Sequence, residues 1–391
     1  MATKDWTRSI KGADDVELGI PRASLLTYHC TMPESGVVSG AVFVIPDFND
    51  EANSDEFKAL RVHFADTHNL LAVTVEYHCY RSRLQDGAQL DLSDQEFSAM
   101  SEICDRHLVA LRDRNTLIQA LKQLPRAYEF EIRVNPANGD YQNLGVIQAL
   151  DHLVVLHDLQ GDTGFDSALW ANVFVIGKGY GGYLANLVAK FAPNAIRGTL
   201  ACDSYSTPPP SFLFGEKVGN AAPYYYHLGK VRLFPLIRTN WVMEGSLPAG
   251  FNRARSEVRS LSLKAHLASM RNAQQRPVFF WLGISTACVE YTSRQQLDFA
   301  KALRAEGFDV SLHDNIATDT ARPESGSTML ATLFGDSFPY LPELDKKSTI
   351  NWSSSVAYLS GDSLYCLDFD EFGPRLAITP IKSRRLRLAF Y

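Results

Sequence analysis

The densest chemical signal in this 391-residue sequence is a glycine cluster, Gly177-Lys178-Gly179-Tyr180-Gly181. It follows the apolar run Val173 to Ile176 and precedes a stretch with helical spacing, Tyr183 to Phe191. Gly-x-Ser-x-Gly in that setting is a nucleophile elbow: small neighbours let the central residue hold a strained conformation, its side chain raised above a sheet. Here the centre is Gly179, so the turn is kept and the nucleophile is not. Glycine at that point also relieves the strain that a serine would bear. A second pattern fits the same residues. Gly177-x-Gly179-x-x-Gly182 after a strand, with Asp203 at the end of the next strand, has the spacing of a dinucleotide-binding loop. Such a unit needs a further strand and helix soon after Asp203, whereas the chain runs into Thr207-Pro-Pro-Pro210.

The surrounding elements decide where these residues can sit. Ala41 to Ile45, Leu70 to Tyr77, Val173 to Ile176, Gly198 to Cys202, Pro277 to Leu282 and Phe308 to Leu312 are short apolar runs of the kind that form buried parallel strands. Helical spacing occupies Asp55 to His68, Asp94 to Leu124, Leu144 to Leu159 and Tyr291 to Ala305. Strand and helix alternate, which predicts a mostly parallel sheet with helices on both faces. The α/β-hydrolase sheet accounts for strands both before and after the glycine cluster. Between residues 204 and 276 the alternation breaks, and this segment reads as an insertion over the carboxyl edge of the sheet. Three short apolar runs after residue 340 read as a β-rich C-terminal extension. The expected division is residues 1–340 and 341–391.

An elbow works with an acid after a later strand and a histidine after the last one. Beyond Leu282 the acid's place falls on Thr286, and the loop from Ala317 to Thr328 after the last sheet strand contains no histidine; His313, at the tip of that strand, is the last in the chain. A general base must reach its nucleophile within a hydrogen bond, so loss at all three places leaves no triad route for the proton. Cys202, Asp203 and His78, at the carboxyl ends of strands, are the residues from which a relocated nucleophile and base could be drawn. The other reading of each is a polar residue satisfied by backbone. Asp47 and Phe48 follow the first buried strand and, with Tyr180, could supply backbone N–H groups to a ligand.

Composition narrows the classes. A formal charge of −6 and 46% apolar residues describe a globular chain with no general attraction to nucleic acid. The basic cluster Lys382, Arg384, Arg385 and Arg387 alternates with apolar residues as the solvated face of an edge strand does. Six scattered cysteines show no zinc spacing, and no cofactor or metal is expected. The polar N-terminus and the absence of a long apolar run predict a cytoplasmic protein away from the membrane.

Four segments carry a family resemblance: Val44-Ile-Pro-Asp-Phe-Asn-Asp-Glu-Ala-Asn-Ser54, Val75-Glu-Tyr-His-Cys79, Gly87-Ala-Gln-Leu-Asp91 and Gly181-Gly-Tyr-Leu-Ala-Asn-Leu-Val-Ala-Lys-Phe-Ala-Pro193. Over roughly residues 15 to 340 the chain resembles a bacterial α/β-hydrolase-fold family, domain of unknown function family 2920. Members that look catalytic carry Ser-His-Gly-Gly at the elbow and His-Gly in the final loop. The matching places here are Gly179-Tyr-Gly-Gly182 and Ser325-Gly326. The resemblance implies a surface-glycan or flagellar context. The leading expectation is a pseudo-hydrolase that binds a small-molecule or glycan ligand, or a protein partner. The alternatives are a carbohydrate esterase or transferase with a relocated site, and a dinucleotide-binding protein.

Overall fold

A computed structural model describes residues 3–48, 50–82, 84, 87–162, 164–208, 226–242, 244, 247–316, 326–338 and 351–381. Contacts divide the chain into two units, Met1–His78 with Leu144–Pro208 and Glu244–Tyr391, and Cys79–Asn143 with Pro209–Met243.

The first unit is built on an eight-stranded sheet. In spatial order its strands are β1 (Thr3–Lys11), β2 (Leu25–Pro33), β4 (Leu70–Glu76), β3 (Gly40–Ile45), β7 (Val173–Lys178), β8 (Gly198–Cys202), β11 (Phe279–Ser285) and β12 (Asp309–Ile316). β1, β2 and β4 pair antiparallel, and every neighbour from β4 to β12 is parallel. The fold is therefore α/β with a mostly parallel sheet, as the sequence predicts. The central strands β3 and β7 are apolar along nearly their whole length because both of their faces are covered. Val42, Val44, Ile176, Leu200 and Trp281 meet Phe57, Leu60 and Phe64 of α1 (Asp55–His68) and Leu330, Leu333 and Phe334 of α9 (Gly326–Ser337) in one cluster. Ser54 caps α1 through Phe57 N–H, and Asn69 ends it at φ 54°. The other helices of this unit are α4 (Val146–Gln160), α5 (Gly179–Phe191), α6 (Arg253–Arg259), α7 (Lys264–Ala273) and α8 (Glu290–Ala305).

The unit boundaries depart from the expected division. Residues 204–276 do not form one insertion, since α6 and α7 belong to the first unit and only Pro209–Met243 joins the second. Nor do the strands after residue 340 stand apart. β13 (Ser354–Ser360), β14 (Ser363–Asp370) and β15 (Gly373–Pro380) form an antiparallel sheet inside the first unit, packed on α6, α7 and α4. Its inner face buries Val356, Tyr358, Tyr365, Leu367 and Phe369, and that alternation is the reason. Lys190 fastens it. The Lys190 ammonium donates to Val258 O, Ser260 O and His266 Nδ1, and it lies 4.9 Å from the Tyr358 ring centre. Burial, then repulsion from Arg259, pulls this lysine well below its ordinary value.

The second unit holds a four-stranded sheet in the order β5 (Gln89–Asp91), β6 (Tyr128–Asn135), β10 (Val231–Ile237) and β9 (Tyr226–Leu228). The helical stretch Asp94 to Leu124 is two helices, α2 (Asp94–Arg106) and α3 (Leu117–Lys122), broken where Leu108 takes φ 56°. The terminal basic cluster lies outside the described residues.

Two buried histidines make the fold acid-sensitive. Burial lowers His152 on α4 and His266 on α7 to about 4. Unfolding returns them to about 6.5, so the unfolded chain binds more protons between these values. Their contribution is complete above about pH 6.5 and is lost as pH falls to about 4. For the fully enclosed His152 this is on the order of 3 kcal/mol. Thermal unfolding across this range should show the slope, and His152→Gln should flatten it.

Candidate functional site

β7 ends at Lys178, and the chain turns at once into α5 through Gly179 at φ 55°. That is the left-handed turn of an elbow, available to glycine without steric cost. The flanking glycines are required by close approach. A Cβ on Gly177 would lie 2.3 Å from Gly181 C, one on Gly181 2.3 Å from Ile45 O, and one on Gly182 2.8 Å from Ser204 Cβ. β3, β7 and the first turn of α5 therefore cross with no room for side chains. This packing accounts for every glycine of the dinucleotide pattern. Asp203, which that pattern aims at a ribose, instead accepts from Ser285 N–H and Ser285 Oγ at 2.7 Å each and ties the end of β8 to β11.

The space above Gly179 is filled by Asp47. A Cβ added to Gly179 would lie 2.3 Å from Asp47 Oδ2 and 2.8 Å from its Cγ. Asp47 Oδ1 accepts from the backbone N–H of Phe48 and of Tyr180, both at 2.8 Å. These two donors, one on the loop after β3 and one directly after the elbow residue, are where a hydrolase holds the oxyanion of its tetrahedral intermediate. The loop is braced by Asp47 N–H donating to Asp50 Oδ2 at 3.2 Å and Asp50 N–H to Asp47 O at 3.0 Å. Removal from water, and then the Asp50 carboxylate, raise Asp47 to about 6, against the two N–H donors and Lys178, which favour its charge. Phe48 meets the Tyr180 ring edge-on at 5.5 Å between centres.

Beneath the site runs a buried polar chain. The Tyr180 hydroxyl donates to Gln148 Oε1, which also accepts from Gly145 N–H at 2.9 Å. Gln148 Nε2 donates to His78 O at 3.0 Å, and His78 N–H donates to Asp151 Oδ2 at 2.7 Å. Asp151 is paired with Arg22 at 2.6 Å, both almost fully enclosed. Gln148, Asp151 and His152 are the buried polar residues of α4, set among apolar neighbours in its first half, and that misplacement is the sequence signal for them.

Asp47, Phe48, Gly177, Gly179 and Tyr180 thus come together. Asp47 and Phe48 are expected as backbone donors, and Asp47 proves to matter through its carboxylate. Cys202 does not join them: it is 1% exposed in the core beside Ile176, Leu200 and Trp281, and burial pushes its thiol far up. Burial thereby removes it as a relocated nucleophile. His78 is enclosed and contributes its backbone to the polar chain. Thr286 is exposed at the turn after β11, its N–H donating to Ile316 O, so it supplies no carboxylate. His313 stacks on Trp281 with centres 4.8 Å apart. Ser325 lies outside the described residues. Among those described, no group of His, Cys, Asp and Glu is placed to hold a metal ion, and no helix is long and apolar enough to cross a membrane.

Solved structures similar to this chain include esterase Est22, at 12% identity over 85% of this chain and 79% of that one, with a TM-score of 0.44. The acylaminoacyl peptidase of Pyrococcus horikoshii matches at 13% identity over 89% of this chain and 43% of its own, with a TM-score of 0.45. A ferulic acid esterase matches at 9% identity over 88% and 98%, with a TM-score of 0.44. No match was found among curated proteins. The model of the family described as "Protein of unknown function (DUF2920)" matches residues 7–378, taking in nearly all of the C-terminal sheet, and the chain belongs to that family.

Proposed function

We propose that this chain is a catalytically degenerate α/β-hydrolase that works by binding a ligand or a partner protein and not by hydrolysis. The observation that carries the reading is the Asp47 carboxylate, which occupies both the nucleophile's space and the two oxyanion donors. Acyl transfer needs a nucleophile, a base within hydrogen-bond reach, and donors free to receive developing charge. Gly179 supplies no nucleophile, the sequence carries no histidine after His313, and the donors already hold a carboxylate. The intact turn and its glycine packing support a retained platform.

The expected result is hydrolysis of p-nitrophenyl acetate and butyrate at the rate of buffer alone, with no labelling by a fluorophosphonate probe. Turnover well above buffer that disappears in Asp47→Asn and persists in the surface variant Lys301→Gln would overturn the reading.

A further inference from the structure

β1 is the outermost strand of the eight-stranded sheet, and among the described residues no strand pairs with its outer side. Its outward backbone N–H and C=O groups form an open edge, the surface to which a further strand adds. Trp6, Arg8 and Ile10 alternate along β1 and so share one face. Trp6 stacks on Phe165 at 6.4 Å between ring centres, and Arg8 meets Asp158 at 3.2 Å. That face therefore looks toward the C-terminal half of α4 and the residues just after it. There a cavity of about 540 Å³ opens between Arg8, Ile10 and Lys11 on the strand and Val154, Asp158 and Asp162 on the helix side. Side chains of an added strand stand beside those of its neighbour, so every second one would enter this cavity.

We propose that the open edge of β1 docks an acidic, extended segment of a partner protein, which pairs with β1 as an added strand and places alternate side chains in the cavity beside α4. Charge selects the partner. Lys4, Arg8 and Lys11 are exposed, while the one acid of the strand, Asp5, accepts from the Thr31 hydroxyl and lies 3.9 Å from Lys58. A chain of net charge −6 thus presents a cationic strand edge. Two copies of β1 side by side would set these cations against one another, which disfavours a second copy and favours an acidic segment. Charged residues on an edge also guard it against unwanted pairing, but that role needs no cavity. Glutamate at the alternate positions fits the lining: its methylenes meet Ile10 and Val154, and its carboxylate reaches Arg8 and Lys11. Asp158 is already engaged by the Tyr28 hydroxyl at 2.6 Å and by Arg8, and Asp162 accepts from Gly164 N–H at 2.9 Å. Both acids thus have donors of their own. This docking makes no use of the elbow, so it holds whether or not the chain hydrolyses esters.

The test uses the full wild-type chain and three fluorescent peptides: Thr-Glu-Val-Glu-Val-Glu-Val-Thr, the same peptide with lysine for glutamate, and an N-methylated form of the first that keeps its charge but donates no main-chain hydrogen bonds. The acidic peptide should bind at least about ten-fold more tightly than either control by fluorescence anisotropy. It should also slow hydrogen exchange of the amides between Thr3 and Lys11. The double variant Lys4→Glu, Lys11→Glu should lose the preference for the acidic peptide over the lysine one. Equal binding of the N-methylated form, protection that falls outside β1, or no binding at all overturns the proposal. So does a dimer in sedimentation whose formation protects the β1 amides, since a second copy would then hold the edge. Should the double variant fail to fold, the three peptides on wild type still decide.

Discussion

Exchanging Glu17 for glutamine is expected to destabilise the first unit by about 3–5 kcal/mol, the cost of leaving one member of a buried ion pair without its partner. Glu17 and Arg259 form a two-pronged pair at 2.9 and 2.5 Å, with side chains 0% and 1% exposed. The guanidinium also donates to Leu144 O at 3.0 Å and Arg255 O at 2.8 Å, and Tyr365 OH donates to Glu17 at 3.0 Å. Burial alone would lower Arg259, but the Glu17 carboxylate outweighs it and holds the guanidinium above its ordinary value. Glu17→Gln strands that charge. The double variant Glu17→Gln, Arg259→Met removes it and should lose markedly less, so urea unfolding of the three proteins should show strong non-additivity. Additive losses would mean the two side chains act independently.

Gly181→Ala is expected to cost a similar amount, about 3–5 kcal/mol, and for a steric reason. The new methyl would lie 2.3 Å from Ile45 O and 2.9 Å from Pro46 O, and neither backbone oxygen can swing away as a side chain would. Gly161 is the internal control. It has φ −75° and only ordinary contacts at 3.6 Å, so Gly161→Ala should be neutral or slightly stabilising. The comparison also separates the two readings of the glycine cluster, because Gly181 belongs to the elbow pattern and lies outside Gly177-x-Gly179-x-x-Gly182. A Gly181→Ala protein as stable as wild type would remove the packing argument for the elbow.

The sheet could be read from the sequence because its central strands are buried on both faces and so appear as unbroken apolar runs such as Ala41 to Ile45 and Gly198 to Cys202. The antiparallel edge escaped that logic. β1 is exposed along most of its length, and its Thr3–Lys11 sequence shows no apolar run. β6 is only part-buried, and β10 carries Pro235, so neither announces itself as a strand within a region dominated by helical spacing and prolines. The elbow was visible because its glycines stand at fixed spacing, and the loss of the triad because residue types are absent from whole segments. The role of Asp47 was not. It depends on two loops 133 residues apart in sequence placing a carboxylate where a serine side chain would otherwise stand, and nothing in local spacing records that meeting.

The pairing of Glu17 has a kinetic side. Arg259 lies 242 residues from it and Tyr365 348 residues from it, so this one carboxylate meets its counter-charge and its hydroxyl donor only across long stretches of chain. Loop closure of that length adds little to the equilibrium, since each doubling costs only about 0.6 kcal/mol, but it raises the mean sequence separation of native contacts that governs folding speed. Until β14 arrives, Glu17 lacks the Tyr365 hydroxyl, and the interior around it cannot close dry. The C-terminal sheet thus serves as the keystone of the first unit, bearing through Tyr365 on a residue near the other end of the chain.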